Sequence, residues 1–252
     1  MAAGSDSIRA ALKQQLETDR LFGVTSVPMQ PLPKRPRGRA PVSSGAIADA
    51  AAKAEQLRVL DETQVRGCTK CSLCKTRTQT VFGQGNPAAR LVFVGEAPGY
   101  HEDKEGLAFV GPAGQLLTRM IVAMGLTRDD VFICNVLKCR PPENRDPSAD
   151  EILSCSPYLR QQLKILEPEV LVALGAPAAK TLLNTAQSIG KLRGRFHDYF
   201  PGGALDAEAA IPVMPTYHPA YLLRNPADKG KTWEDLQMVM ARLGLPARQP
   251  AS

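Results

Sequence analysis

No stretch of this 252-residue chain approaches the roughly 20 consecutive apolar residues that a membrane-crossing helix needs. The N-terminus lacks the compact apolar core of a secretory signal. Both absences set the expectation of a cytoplasmic protein with no membrane partner. Histidine is scarce, with three in the chain. There are six cysteines, and in a reducing compartment they read as thiolate ligands before disulfides. What is present is an ordinary soluble composition, 44% hydrophobic and 22% charged. The length suffices for one sizeable α/β domain and a modest appendage. A net charge of +6 suits a polyanionic partner such as nucleic acid, although charge alone does not choose one.

Composition changes near residue 66. Within residues 1–66, Ile8, Leu12 and Leu16 share one stripe, so Ser7 to Leu21 is expected to form a short helix. Ser26 to Val42 carries Pro28, Pro31, Pro33, Pro36 and Pro41 together with Lys34, Arg35, Arg37 and Arg39, the pattern of an extended basic tether. Ile47 to Val65 is alanine-rich and reads as a helix leading into the first cysteines. The expected division is an N-terminal extension at 1–66, a catalytic domain at 67–245 and a tail at 246–252.

Beyond the extension lie four continuous apolar runs: Leu91–Val94, Val131–Cys134, Val170–Leu174, and Val213-Met214 with their neighbours. Buried parallel strands read this way. Between them Leu116, Leu117, Met120, Ile121 and Met124 have helical spacing, as do Ile152, Tyr158, Leu159 and Leu163 less regularly. A last helix is expected from Thr232 to Leu243. Alternating strands and helices predict a parallel sheet, whose ligands bind at the carboxyl ends of its strands. The segments after the runs are Gly95–Asp103, Asn135–Arg140, Gly175–Ala176 and Thr216–Leu223. Three of these hold conspicuous polar residues, which argues for one active site.

Cys68 and Cys71 are separated by two residues, Cys139 and Cys155 by fifteen. Four thiolates complete a tetrahedral zinc site or hold the corners of an iron–sulfur cluster, and spacing does not choose between them. Cys74 repeats the two-residue gap and is an alternative to Cys68 or Cys71. Cys134, inside an apolar run, is expected to be a small buried hydrophobe.

Three motifs occur in order: Gly95-Glu96-Ala97-Pro98-Gly99-Tyr100-His101-Glu102-Asp103, Asn135-Val136-Leu137-Lys138-Cys139-Arg140-Pro141-Pro142-Glu143-Asn144-Arg145, and His218-Pro219-Ala220-Tyr221-Leu222-Leu223. With the cysteine spacing, the set resembles family 4 uracil-DNA glycosylases, the iron–sulfur type of bacteria and archaea. The resemblance spans about Arg66 to Leu243. It implies an α/β fold of three layers, α/β/α, with a central four-stranded parallel sheet. It also implies a [4Fe-4S] cluster on Cys68, Cys71, Cys139 and Cys155, and removal of uracil from DNA. The expected partner is uracil-containing DNA, single- or double-stranded, and the expected state is a monomer. It implies that Asn135 reads the Watson–Crick edge of the base, that Phe109 stacks on it, and that Ala97 and Gly99 belong to the pocket wall. His218 is implied as the donor to uracil O2, where negative charge grows as the glycosidic bond breaks.

Glu102, then Glu96, with Asp103 third, are the carboxylates able to stabilise the sugar cation or position water. Related branches place a water-activating Asp or Asn where Ala97 stands, so the activator of the water is open. Leu222 and Leu223 are candidates for a wedge that fills the vacated stack, and Arg224 for a phosphate contact. Lys138, Arg140 and Arg145 are expected to face phosphates. No lysine stands in the pocket motifs to form a Schiff base, so the expected chemistry is hydrolysis by a monofunctional glycosylase. A covalently cross-linking branch is disfavoured, since Arg140 to Cys155 contains no histidine; His197 lies after the third strand and is expected at the surface. Asp19-Arg20-Leu21-Phe22 is faintly similar to peptides that dock on sliding clamps. The rival readings are a non-catalytic iron–sulfur protein that senses DNA damage and a structural zinc protein.

Overall fold

The computed structural model describes residues 44–201 and 210–246. The helix expected at 7–21, the clamp-like peptide, the basic tether and residues 247–252 lie outside the described residues. In chain order the described elements are α1 (Ser44–Leu60), β1 (Gln84–Gly85), β2 (Leu91–Gly95), α2 (Tyr100–Glu105), α3 (Pro112–Ala123), β3 (Phe132–Asn135), α4 (Ala149–Leu166), β4 (Val170–Leu174), α5 (Ala176–Leu183), α6 (Ile189–Leu192), β5 (His197–Tyr199), β6 (Ile211–Thr216), α7 (Pro219–Arg224) and α8 (Lys229–Arg242).

The strands form one sheet in the order β1-β3-β2-β4-β6-β5. The inner four are parallel, as the apolar runs predicted. The sheet is wider than four strands because β1 and β5 add short antiparallel edges. At two and three residues these carry no readable alternation.

Every residue of β2 and β4 is buried, and successive side chains go to opposite faces. Val92, Val94, Leu171 and Ala173 join one apolar cluster with Tyr158, Leu159 and Leu163 of α4. Leu91, Phe93, Val170 and Val172 join the other with Leu116, Leu117 and Met120 of α3 and Leu236 of α8. The result is three layers, α/β/α. In α4 the Ser148 hydroxyl accepts from Glu151 N at 3.3 Å, and the Glu151 carboxylate accepts from Ser148 N at 2.9 Å, a reciprocal cap that starts the helix.

The alanine-rich helix expected at 47–65 is α1, continued by a wider π-type turn at Asp61–Val65. Leu57, Leu60 and Val65 are buried in the cluster that also holds Cys139, Cys155 and Leu163. Lys53 Nζ donates to the Leu166 carbonyl at 3.3 Å and pairs with Glu167 at 2.9 Å. The helical end of the extension therefore shares a core with α4 and the sheet. Leu60→Ala should destabilise the protein by about 2–4 kcal/mol in urea denaturation, while Val59→Ala on the exposed side should stay within about 0.5 kcal/mol. Equal effects of the two substitutions would contradict this packing.

Candidate active site

A cleft of about 430 Å³ opens at the carboxyl ends of the parallel strands. The loop after β2 contributes Glu96, Ala97 and Gly99, β3 ends in Asn135, and His218 follows β6. Phe109, from the segment between α2 and α3, and Arg224 complete the part of the wall that matters here. The three motifs thus meet in one place.

Asn135 is 1% exposed, and its Oδ1 is buried without a hydrogen-bond partner among the described residues. A buried carbonyl left in this state costs roughly 1–3 kcal/mol. An N–H from a ligand would relieve that cost. Phe109 lies beside it with backbone φ of 54°, a left-handed conformation unfavourable for a bulky side chain. Two glycines make room: a Cβ on Gly95 would stand 2.6 Å from Phe109 Cζ, and one on Gly114 of α3 would stand 1.9 Å from the Phe109 carbonyl oxygen. Arg128 holds the strained segment. Its guanidinium donates to the carbonyls of Phe109 at 3.1 Å and Ala108 at 2.7 Å, and to Thr118 Oγ1 at 3.2 Å. Sequence reasoning missed Arg128, since nothing in the local pattern around it points to a loop twenty residues earlier.

His218 caps the N-terminus of α7. Its Nδ1 accepts from Ala220 N at 3.1 Å, which leaves the ring proton on Nε2. Burial, reinforced by the charge of Arg224, pulls its pKa down to about 4, so the imidazole is neutral at physiological pH. Its ring lies 5.6 Å from that of Phe109. Glu96 behaves in the opposite sense: burial, with the charge of Asp146, pushes its carboxyl up to about 7.

Glu102 has a different environment from Glu96, although both line the cleft. One carboxylate oxygen accepts from Val110 N and Gly111 N, both at 3.0 Å, and the other from Gly99 N at 3.1 Å. Three backbone amides thus occupy the group that the sequence ranks first as a catalytic acid. A Glu three residues into a helix, reaching back to the residue before it, is a readable signal of this arrangement. Asp103 is also occupied, accepting from Thr78 N at 2.9 and 3.1 Å.

The residues expected to touch DNA are sorted by burial. Leu222 is fully buried in the cluster with Leu117 and Leu236, so it is no wedge; α7 turns it into the core. Leu223 is half-buried against the same cluster. Lys138 is also fully buried and cannot meet a phosphate. Arg145 reaches the cleft, but its guanidinium is paired with Glu151 at 2.6 and 2.9 Å, which draws that carboxyl down to about 2. Arg140 lies over the exposed Tyr100 ring at 5.2 Å and donates to Asn144 Oδ1 at 2.8 Å. Arg224 is exposed at the cleft. His197 is half-buried, with Nε2 2.9 Å from the Leu192 carbonyl.

Cys68, Cys71, Cys139 and Cys155 line one small cavity beside the loop that follows β3, with Lys70, Arg77 and Lys138 around it. Cys74 is not among its lining residues, and Cys134 is buried within β3. Three of the four sulfurs accept hydrogen bonds at 3.2 Å: Cys139 from Arg77 Nη1, Cys155 from Lys138 N and Cys68 from the Tyr158 hydroxyl. Among the described residues no three His, Cys, Asp or Glu side chains form a ready-made site for a metal ion. The donor set fits a soft metal group whose complex with thiolates is anionic: four sulfurs, cations around them, and N–H and O–H donors aimed at sulfur.

A family model for the uracil DNA glycosylase superfamily matches residues 82–237. The type-4 uracil-DNA glycosylase of Saccharolobus solfataricus is 47% identical over 185 residues, covering 71% of this chain and 83% of that protein. The type-4 enzyme of Sulfurisphaera tokodaii is 48% identical, covering 70% and 80%. That of Thermotoga maritima is 46% identical, covering 68% and 85%. With three relatives of one type matched over more than two thirds of its length, this chain belongs to the type-4 family of the uracil DNA glycosylase superfamily.

Proposed function

We propose that this protein is a monofunctional glycosylase that hydrolyses the N-glycosidic bond of deoxyuridine in DNA, leaving an abasic site. The observation that carries the reading is the orphaned Asn135 Oδ1 in the cleft. Uracil offers an N3–H donor beside its O4 acceptor, the complement of an amide; cytosine offers the reverse pattern. Phe109 stacks on the flipped base, whose extrusion costs a few kcal/mol. Ala97 and Gly99 form the wall of the pocket.

As the C1′–N1 bond breaks, its electron pair passes to the uracil ring and collects in part on O2. His218 Nε2–H is the donor for that oxygen, and a neutral imidazole suffices. The sugar left behind carries positive charge. Glu96, in its ionised form, stabilises it and orients the water that adds to C1′; the water's proton goes to that carboxylate and then to solvent. Glu102 acts as a positioning residue that holds Gly99, Val110 and Gly111 around the pocket. Arg224 and Arg140 contact phosphate. The protein works in the cytoplasm as a monomer.

The cysteine cavity is proposed to hold a [4Fe-4S] cluster on Cys68, Cys71, Cys139 and Cys155. Bound there, the cluster supplies an anchor and no step of the reaction. Membership of the type-4 family favours it over a single zinc ion, which four thiolates would also suit. The purified protein should be brown, and Cys155→Ser should lose the colour together with cooperative unfolding; a colourless protein with one zinc per chain would refute the cluster.

A uracil oligonucleotide separates this enzyme from a non-catalytic damage sensor by the appearance of abasic sites. In single turnover His218→Ala should slow cleavage on the order of 100-fold or more. Asn135→Asp should lose its preference for uracil and act on cytosine, because a carboxylate accepts from the cytosine amino group and repels uracil O4. Wild-type rates in the first variant and unchanged selectivity in the second would show the pocket to be wrongly drawn.

The pH profile is set by the two shifted groups. Glu96 is needed ionised, so the wild-type rate should rise with pH through about 7 and level off above it. His218, already neutral above about 4, should add no inflection between those values. Glu96→Gln should be slow and flat across the same range. A wild-type profile that is level from pH 5.5 to 8.5 would remove Glu96 from this role; that window is about 1.5 units either side of the Glu96 value.

A further inference from the structure

Lys138 is 1% exposed and has the full surroundings of a built element. Its ammonium donates to the backbone carbonyl of Asn135 at 2.8 Å and to Gln162 Oε1 on α4. Gln162 is itself oriented by donating to the Phe82 carbonyl at 2.8 Å. The backbone of Lys138 is gripped at both ends. Its N–H donates to Cys155 Sγ at 3.2 Å, and its carbonyl accepts from Val81 N at 2.7 Å. The next residue is Cys139. A long flexible cation in a dry core is costly, and lysine is almost never found so buried without a task. Here a surface role toward phosphate is excluded and no carboxylate is needed to explain the geometry.

We propose that Lys138 is a positioning residue for base recognition: its ammonium clamps the Asn135 backbone while its own N–H is fixed on a cysteine sulfur, so that the cysteine cavity sets where the Asn135 amide points. The clamp lies where the chain leaves β3. There Val136 N and Leu137 N donate to the carbonyls of Gly95 and Glu96 at 2.9 and 3.0 Å, the last ties before the loop. Without the ammonium, the Asn135 carbonyl loses a charged partner, and the residue above it is free to rotate. The proposal rests on reading the cleft as a uracil pocket.

The test uses Lys138→Met, which keeps the length of the side chain and removes the donors. Amide exchange is measured across residues 132–140 in protein that retains its metal absorbance. Exchange at residues 136–138 should be about tenfold or more faster, with β2 and β4 unchanged. The same variant should lower kcat/KM on a uracil oligonucleotide by about 10- to 100-fold, yet by less than about twofold in an Asn135→Ala background, since a residue acting only through Asn135 has nothing left to position. Wild-type exchange at 136–138, or an undiminished effect in the Asn135→Ala background, overturns the proposal. If the wild type forms no abasic site, the pocket reading fails, while the exchange measurement still decides the clamp. If Lys138→Met does not fold, Gln162→Met is used; it leaves the ammonium but removes its second acceptor. It should speed exchange at 136–138 severalfold, and wild-type exchange there is the refuting result.

Discussion

Gly95 and Asn135 are paired in register across β2 and β3. A Cβ on Gly95 would stand 2.3 Å from Asn135 Oδ1 and 2.6 Å from Phe109 Cζ. No side chain fits there, and the missing one is what lets an amide and an aromatic ring share the end of a parallel sheet. The remaining cleft is organised around that pair. Asn135 is buried with an acceptor unused among the described residues. Phe109 is held in a left-handed conformation by Arg128 and given space by Gly114. The glycine thus converts strand register into room for both side chains.

The charges of the cleft obey one physical rule. Burial disfavours whichever form is ionised, so it lowers the histidine and raises the glutamate. Near pH 7 the cleft therefore holds a neutral donor and a carboxyl close to its titration point. Such a site suits an uncharged base that acquires charge only as its bond breaks. Glu102 is engaged by three backbone amides, so the two acids of the cleft stand in different surroundings.

The cysteine cavity includes Lys138 and Cys139 from the loop that leaves β3. It gathers the turn after α1, the loop after β3 and the side of α4, so that Cys68 and Cys71 meet Cys139 and Cys155 from far along the chain. Lys138 belongs to both places: it lines the cavity and reaches the carbonyl of Asn135. Recognition and metal binding are proposed as two ends of one short segment, Asn135 to Cys139.

Amino-acid order alone was enough wherever the physics is local. The four inner strands were legible because a strand buried on both faces is apolar throughout. Asn135 and His218 stood out through ordered motifs, Phe109 through the family resemblance and the cysteines through the chemistry of thiolates; the fold brings the first three to one cleft and Cys68, Cys71, Cys139 and Cys155 to one cavity. The rest required the packed chain. That Leu222 belongs to the core and not to a groove was not readable, because a six-residue helix is too short to show a stripe. Lys138 is inside because its acceptors come from α4 and from its own turn, a meeting that no spacing predicts. Arg128 clamps carbonyls that its neighbours in sequence do not touch, and the helix before Cys68 packs on α4, whose far end is more than a hundred residues away. Composition and periodicity specify which face a residue prefers; which groups then find each other depends on how the faces are stacked.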